Sequence, residues 1–253
     1  MSVVQSIIIA VACFSAIPMP FVAWDEHNMR YMLAAFPLVG VVVGACTWLW
    51  GSFCTAFGIG PFLQGVGYAL VPLLVTGGIH MDGFADVVDA LSSHALPERK
   101  RAILKDPHVG AFAVMGIWSY LAAYAALASE LDPKSLPVFA AVPVVSRCLS
   151  GIASLTWPLA SKDGSLASMR SKADVKRSLV VLFIELLLAA AFMLMTDFVT
   201  GRRALLAALA AFAWSRYVAL HEFEGLNGDV AGYLLQVVEL AMLICIVVSG
   251  RLA

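Results

Sequence analysis

Asp82, Asp86 and Asp89 fall at i, i+4 and i+7 in the run Ile79-His80-Met81-Asp82-Gly83-Phe84-Ala85-Asp86-Val87-Val88-Asp89. At about 100° per residue, a helix brings the three carboxylates within roughly 60° of arc, one above another. Like charges stacked in this way repel. The neighbouring positions Phe84, Ala85, Val87, Val88 and Leu91 are apolar, so the helix is not freely hydrated. The chemistry that suits this pattern is a compensating hard cation, magnesium or manganese, which takes carboxylate oxygens and keeps waters that a phosphate can replace. Asp82 taken alone also reads as an N-cap or first-turn residue favoured by the helix dipole. That reading explains Asp86 poorly and does not explain Asp89, two turns in.

The elements that must position these groups are set by composition. Of the 253 residues, 61% are hydrophobic and 13% charged, with a mean hydropathy of +0.90. A soluble domain is nearer half apolar and about a quarter charged, so the chain is read as an all-α, polytopic integral membrane bundle, a single domain over 1–253. The net charge of −1 gives no electrostatic ground for a nucleic-acid partner. Cys13, Cys46, Cys54, Cys148 and Cys245 lie scattered in apolar runs and read as small buried hydrophobes.

Apolar segments near the roughly 20 residues that cross a bilayer run over Val3–Phe21, Tyr31–Phe57, Pro61–Ile79, Gly110–Ser129, Leu136–Leu159, Ser178–Val199, Ala204–Leu220 and Val230–Ser249. Pro18 and Pro20 break the end of the first, which is therefore spanning, re-entrant or interfacial, and the bundle has about 7–8 membrane segments. If all of them span, both termini lie opposite the aspartates. The loops on the aspartate side then carry Arg30, Arg99, Lys100, Arg101, Lys105, Lys162, Arg170, Lys172, Lys176 and Arg177, against Lys134, Arg202, Arg203 and Arg251 on the other side. The richer side is expected to be cytoplasmic. The aspartates follow a nearly full-length apolar run, so a short aspartate-bearing helix is expected at the cytoplasmic face of a multi-pass inner-membrane protein.

Further polar groups fall on the same side. In Lys105-Asp106-Pro107-His108-Val109-Gly110, the proline holds Asp106 in a turn and Gly110 permits close approach of an anion at a helix start; a helix start with a snorkelling lysine explains the same spacing. Asn227-Gly228-Asp229 reads as a turn and N-cap, and its side of the membrane makes Asn227 and Asp229 substrate-binding candidates. Glu222 and Glu224 read as a solvated acidic loop. Arg147, Arg216 and Glu239 are charges inside apolar segments, which usually face a bundle interior or an aqueous cavity; each arginine is a candidate for a substrate phosphate or for an ion pair with Glu239. His80 is a ligand, a phosphate donor or an interfacial histidine.

The run from Gly77 to Asp89 closely resembles the signature of the cobalamin synthase family of membrane-bound transferases. Phe36-Pro37-Leu38-Val39-Gly40, Lys105-Asp106-Pro107-His108-Val109-Gly110-Ala111-Phe112 and Gly228-Asp229-Val230 resemble three further elements of that family, in order, over essentially the whole chain. Two departures stand out: Ala90 follows the third aspartate where the family usually has glycine, and Trp157-Pro158 with Lys162-Asp163-Gly164 replaces an Arg-Pro-x-Gly-like element. The family is itself distantly similar to CDP-alcohol phosphotransferases.

The resemblance implies a late step of cobalamin biosynthesis, nucleotide-loop assembly, in which adenosylcobinamide-GDP and α-ribazole or its 5′-phosphate are joined and GMP is released. It also implies magnesium, or manganese, on Asp82, Asp86 and Asp89, with Asp89 as a candidate base, Lys105 and Arg147 on phosphate, Asp106 and Asp229 as further ligands or positioning groups, and His80, Arg216 and Asn227 near substrate, in a monomer or homo-oligomer. Two other classes compete. A transporter or channel would place its charges near the midplane on broken, repeated helices. A lipid-type CDP-alcohol phosphotransferase would follow its first aspartates differently from Asp86-Val87-Val88.

Overall fold

The computed structural model describes residues 2–251, which form twelve α-helices and one 3-10 turn, with no strand among them. In chain order they are α1 (Ser2–Phe14), α2 (Glu26–Met29), α3 (Phe36–Phe57), α4 (Pro61–Thr76), α5 (Ile79–Ser92), α6 (Pro97–Ile103), α7 (Ala111–Ser129), α8 (Leu136–Thr156), α9 (Ser165–Lys172), α10 (Val175–Thr196), α11 (Phe198–Glu222) and α12 (Gly228–Arg251). Six of these (α3, α7, α8 with its preceding turn, α10, α11 and α12) are long and apolar enough to cross a membrane. The pair α4–α5, bent by 103°, makes a seventh candidate if the two helices together count as one span.

Local chemistry sets the helix ends. Pro37 and Pro61 sit in the first turns of α3 and α4, where a missing N–H costs nothing. Asp174 caps α10 by accepting from the Arg177 N–H, and Asp197 caps α11 by accepting from the Val199 and Thr200 N–H groups. Gly77 and Gly78 both have positive φ, a conformation that side chains resist, and this pair turns the chain from α4 into α5.

α8 is the centre of the bundle, with 89% of its apolar window buried against 17% for α10. Inside the core, Arg147 of α8 pairs with Glu239 of α12 at 2.8 Å, each 1% exposed. Ser146 Oγ donates to the same carboxylate and Arg147 also donates to the Pro143 carbonyl, so the buried charges are paired and hydrogen-bonded, as burial demands.

The first apolar segment forms a helix shorter than those long enough to cross a membrane. α1 has 13 residues, about 20 Å against a hydrocarbon layer of about 30 Å. Ser6 Oγ donates to the Asn28 carbonyl and accepts from the Tyr31 N–H, while the Ala16 N–H donates to Val75. α1 is thus tied to the α2 region through Ser6, and the chain just after it to the end of α4 through Ala16. Of the spanning, re-entrant and interfacial readings of this segment, so short a helix favours the last two, and the candidate crossings number six or seven. The prolines at 18 and 20 stop the helix too early to span.

Candidate active site

α5 leaves the α4 turn and packs against the first half of α12. The close approach rests on Gly83, where a Cβ would stand 2.8 Å from the Asp229 Cα and carbonyl oxygen. Only a residue without a side chain lets the two backbones touch. This contact sets Asp229, from the first turn of α12, beside the face of α5 that carries Asp82 and Asp86.

Asp82 is exposed, and Asp86, Asp89 and Asp229 are half-buried. Asp86 records the crowding. Its carboxyl is pushed up to about 6 by burial first, then by the charges of Asp82, Asp229 and Asp89. Among the described residues no lysine, arginine or histidine pairs with any of these four carboxylates. As the side chains stand, no three His, Cys, Asp or Glu groups among the described residues are drawn tightly enough together to hold a metal ion. The donor set, carboxylate oxygens with room for water at the exposed Asp82, nevertheless fits a hard divalent cation that completes its shell with substrate oxygens.

Asp89 faces partly away from the other carboxylates. It accepts from the Ala113 N–H at 3.3 Å, and its carboxylate lies against Gly110 at the start of α7. It thereby caps the helix that follows the Lys105–Gly110 loop. Asn227, rather than Asp229, caps α12: its Oδ1 accepts from the Val230 N–H at 2.8 Å and its Nδ2 donates to Asp229 at 3.1 Å. That corrects the reading of Asp229 as the N-cap and leaves its carboxylate available to the α5 cluster.

Other candidates separate from the cluster. His80 is buried, with its ring 5.4 Å from that of Phe36 and 6.3 Å from that of Phe14. Burial, then the charge of Arg147, hold its imidazole well below the ordinary range. Of the two readings of Arg147, the structure shows the ion pair with Glu239, with both side chains 1% exposed. Arg216 is exposed on α11, its guanidinium 5.7 Å from the centre of the Trp157 ring, and it pairs with neither Glu239 nor the aspartates. Asp106 is exposed and bonded to His108 through the ring and the backbone N–H, contacts that hold its carboxyl below the usual carboxylate range. Lys105 is exposed and lines a cavity of about 550 Å³ between α6, the start of α9 and the Leu226–Asp229 turn.

Three features escaped the sequence reading. Glu222 and Glu224 are not a solvated acidic loop: they pair with Lys100 and Arg101 and fasten α6 to the end of α11. Glu185, inside α10, has a buried Oε2 with no hydrogen-bond partner among the described residues. As an acid in the apolar run Ser178–Val199, it was visible in principle by the same argument applied to Glu239. Arg101, Ser161 and Ser165 share the Lys105 cavity, a juxtaposition that needs the tertiary fold. The loop lacking the Arg-Pro-x-Gly pattern is closed by a bridge between Leu159 and Leu226, and Arg170 donates to the Trp157 carbonyl at 2.7 Å.

Residues 6–247 match the family model described as cobalamin-5-phosphate synthase. The chain is 35% identical to an adenosylcobinamide-GDP ribazoletransferase of Lachnoclostridium phytofermentans, over 97% of this chain and 94% of that one. It is 31% identical to the protein of the same name from Clostridium botulinum strain Alaska E43, over 93% and 94%, and 30% identical to that of Geobacillus kaustophilus, over 90% of each. No solved structure matches. With the motif helix, its glycine contact to α12 and a match along nearly the whole sequence, the chain belongs to the cobalamin-5-phosphate synthase family.

Proposed function

We propose that this protein is an adenosylcobinamide-GDP ribazoletransferase of nucleotide-loop assembly. A hydroxyl of α-ribazole, or of its 5′-phosphate, attacks the corrinoid-side phosphorus of the diphosphate. The new phosphorus–oxygen bond forms as the bond to the GMP oxygen breaks, the hydroxyl proton passes to a carboxylate, and GMP departs. The observation that carries the reading is the gathering of Asp82, Asp86 and Asp229 from two helices, without a cation of the chain's own.

Asp82, Asp86 and Asp229 would hold a divalent cation, magnesium or manganese, which supplies neutralisation of charge on the diphosphate. Asp89 fixes the start of α7 and with it the position of the Lys105 loop. The half-buried Asp86 and Asp229 are the carboxylates able to take a proton in a site that partly excludes water. Arg147 and Glu239 act on the site through packing, by locking α8 to α12.

Arg30, Arg99, Lys105, Lys162 and Lys172 lie in the connections at the aspartate end, so that end faces the cytoplasm of a cell inner membrane by the excess of basic residues. A corrinoid, too bulky to enter a helical bundle, reaches such a mouth directly. The same placement argues against a transporter, whose site lies near the midplane.

The test is product formation by purified protein in liposomes given adenosylcobinamide-GDP and α-ribazole or its 5′-phosphate, with and without magnesium. Magnesium-dependent formation of a cobalamin product and GMP is expected. No product from folded protein with either acceptor would overturn the assignment.

A further inference from the structure

A long crevice opens on the outer surface of the bundle between α3 and α10, both of which pack on α8. It has two parts that share Leu38 and Glu185, one of about 620 Å³ beside α1 and one of about 550 Å³ over α8. α10 borders it with Arg177, Val181, Glu185, Leu188 and Phe192, a single helical stripe. α3 borders it with Leu38, Val41, Ala45 and Trp48, again one stripe. Ala140 and Ala141 of α8 form the floor, and their small side chains leave the space that larger ones would fill.

The two ends differ. At the aspartate end the rim carries Tyr31, Lys176 and Arg177, with both cations exposed. Lys176 pairs with no carboxylate among the described residues. Arg177 shares the carboxylate of Asp174 with Arg30, at 3.4 Å and 3.1 Å. The Tyr31 hydroxyl accepts from the Arg177 guanidinium at 3.3 Å and so keeps its own proton for an acceptor. Deeper in, the wall is apolar apart from Glu185, about 12 Å further along α10 than Arg177. The cations are confined to the rim, so an anion belongs there and hydrocarbon below it. The stripe from Val181 to Phe192 is about 16 Å long, close to half of a hydrocarbon core of about 30 Å.

We propose that this crevice binds an anionic phospholipid of the leaflet at the aspartate end, with the phosphate on Lys176, Arg177 and the Tyr31 hydroxyl and one acyl chain along the stripe from Val181 to Phe192. The charge at the rim complements a headgroup in a leaflet that already gathers anionic lipid near basic side chains. A second copy of the chain fits less well. Protomers related by a two-fold axis normal to the membrane meet like residue against like residue at the same depth, so Lys176 and Arg177 would face their own copies. The site lies apart from the carboxylate cluster and does not depend on the transferase reading.

The test gives the intact protein, purified in detergent, phosphatidylglycerol or phosphatidylcholine of matched chains. Native mass spectrometry counts the lipid retained, and thermal unfolding reads the protection. One phosphatidylglycerol is expected to be held in preference to phosphatidylcholine. In the double variant Lys176→Gln/Arg177→Gln that preference should fall about 10- to 30-fold, the attraction of two basic side chains for an anionic head. The preference is a ratio between two lipids on one protein, so a general loss of stability cancels from it. Arg99→Gln/Lys162→Gln, at exposed basic positions of the same end outside the crevice, should keep the preference. Ala45→Phe, which fills the apolar part from an exposed position, should lower retention of both lipids. Equal loss of preference in the Arg99 and Lys162 variant would reduce the effect to diffuse surface charge and overturn the site. Protection by soluble glycerol 3-phosphate equal to that by the lipid would overturn it in favour of a free phosphate, and retention untouched by Ala45→Phe would take the chain out of the crevice. A dimer that Ala45→Phe dissociates, with no lipid retained, would give the crevice to a second copy instead.

Discussion

Gly83 and Asp229 touch backbone to backbone, and the contact aligns the acidic face of α5 with the first turn of α12. A methyl group at position 83 meets backbone atoms at 2.8 Å, which cannot move aside as a flexible side chain would. Gly83→Ala should therefore separate the helices by a few tenths of an ångström or more and lower turnover at least about 10-fold, in line with the sensitivity of reacting groups to small displacements. Gly60→Ala is the control, because a Cβ there meets nothing within 4 Å. Equal activity of the two variants would show that the α5–α12 contact does not set the site.

Crowding of the carboxylates predicts opposite effects of one substitution on stability and activity. Asp86 has a folded-state value raised to about 6 from an ordinary 3.8, so its ionisation opposes folding. The penalty is absent below the lower value, grows as pH rises between the two, and is complete above about 6. In chelator, Asp86→Asn should melt at a higher temperature than the unsubstituted protein at pH 8, and the gap should shrink at pH 5. The same variant, like Asp82→Asn, should lose transfer by two or more orders of magnitude and lose the stabilisation that magnesium confers on the unsubstituted protein. A lower melting point for Asp86→Asn at pH 8 would mean that the aspartates are not in conflict, and full turnover in excess chelator would remove the cation from the mechanism.

These sites were partly legible in the sequence for a physical reason. Helical periodicity acts within one element, so Asp82, Asp86 and Asp89 declared a shared face, and hydropathy declared the spans of α3, α7, α8, α10, α11 and α12 to within a few residues. Asp229 was placed on the correct side by alternation of the crossings. What stayed hidden depends on pairing between elements: that Asn227 rather than Asp229 caps α12, that Asp89 turns to the start of α7, and that Lys100 and Arg101 neutralise Glu222 and Glu224. The first segment stayed open between crossing and lying at the interface because hydropathy measures affinity for an apolar environment and not length in a helix. α1 finds that environment against Met29, Met32 and Ala35.

Arg147 offers a direct discrimination between a structural and a substrate role. Breaking a buried ion pair leaves an uncompensated charge and costs about 3–5 kcal/mol, whereas replacing both partners with apolar residues of similar volume is often near neutral. Arg147→Met and Glu239→Leu are each expected to destabilise the protein by roughly that amount in denaturation assays in detergent. The double variant should recover most of the loss and retain transfer within about 10-fold. If the double variant folds as stably as the unsubstituted protein and yet is inactive, Arg147 reaches the substrate in some state of the enzyme, and the pair is more than a lock between α8 and α12.

The position of α1 decides the topology. With seven crossings, residues near the start of α1 lie on the same side as the α5–α6 connection, whereas an eight-crossing chain puts them on opposite sides. In a cysteine-free background, single cysteines at His27, Ser93 and Gly60 sample the α1–α2 side, the aspartate mouth and the α3–α4 turn, and a short tag before α1 samples its start. Membrane-impermeant reagents applied to sealed, right-side-out vesicles should modify only the Gly60→Cys protein, and the tag should be reached only after the vesicles are opened, together with His27→Cys and Ser93→Cys. Modification of Ser93→Cys from outside would invert the bundle and separate the aspartates from cytoplasmic nucleotides. Outside accessibility of the tag alone would make α1 a crossing, and the hydrogen bonds that Ser6 donates to the Asn28 carbonyl and accepts from the Tyr31 N–H would then have to break in the membrane.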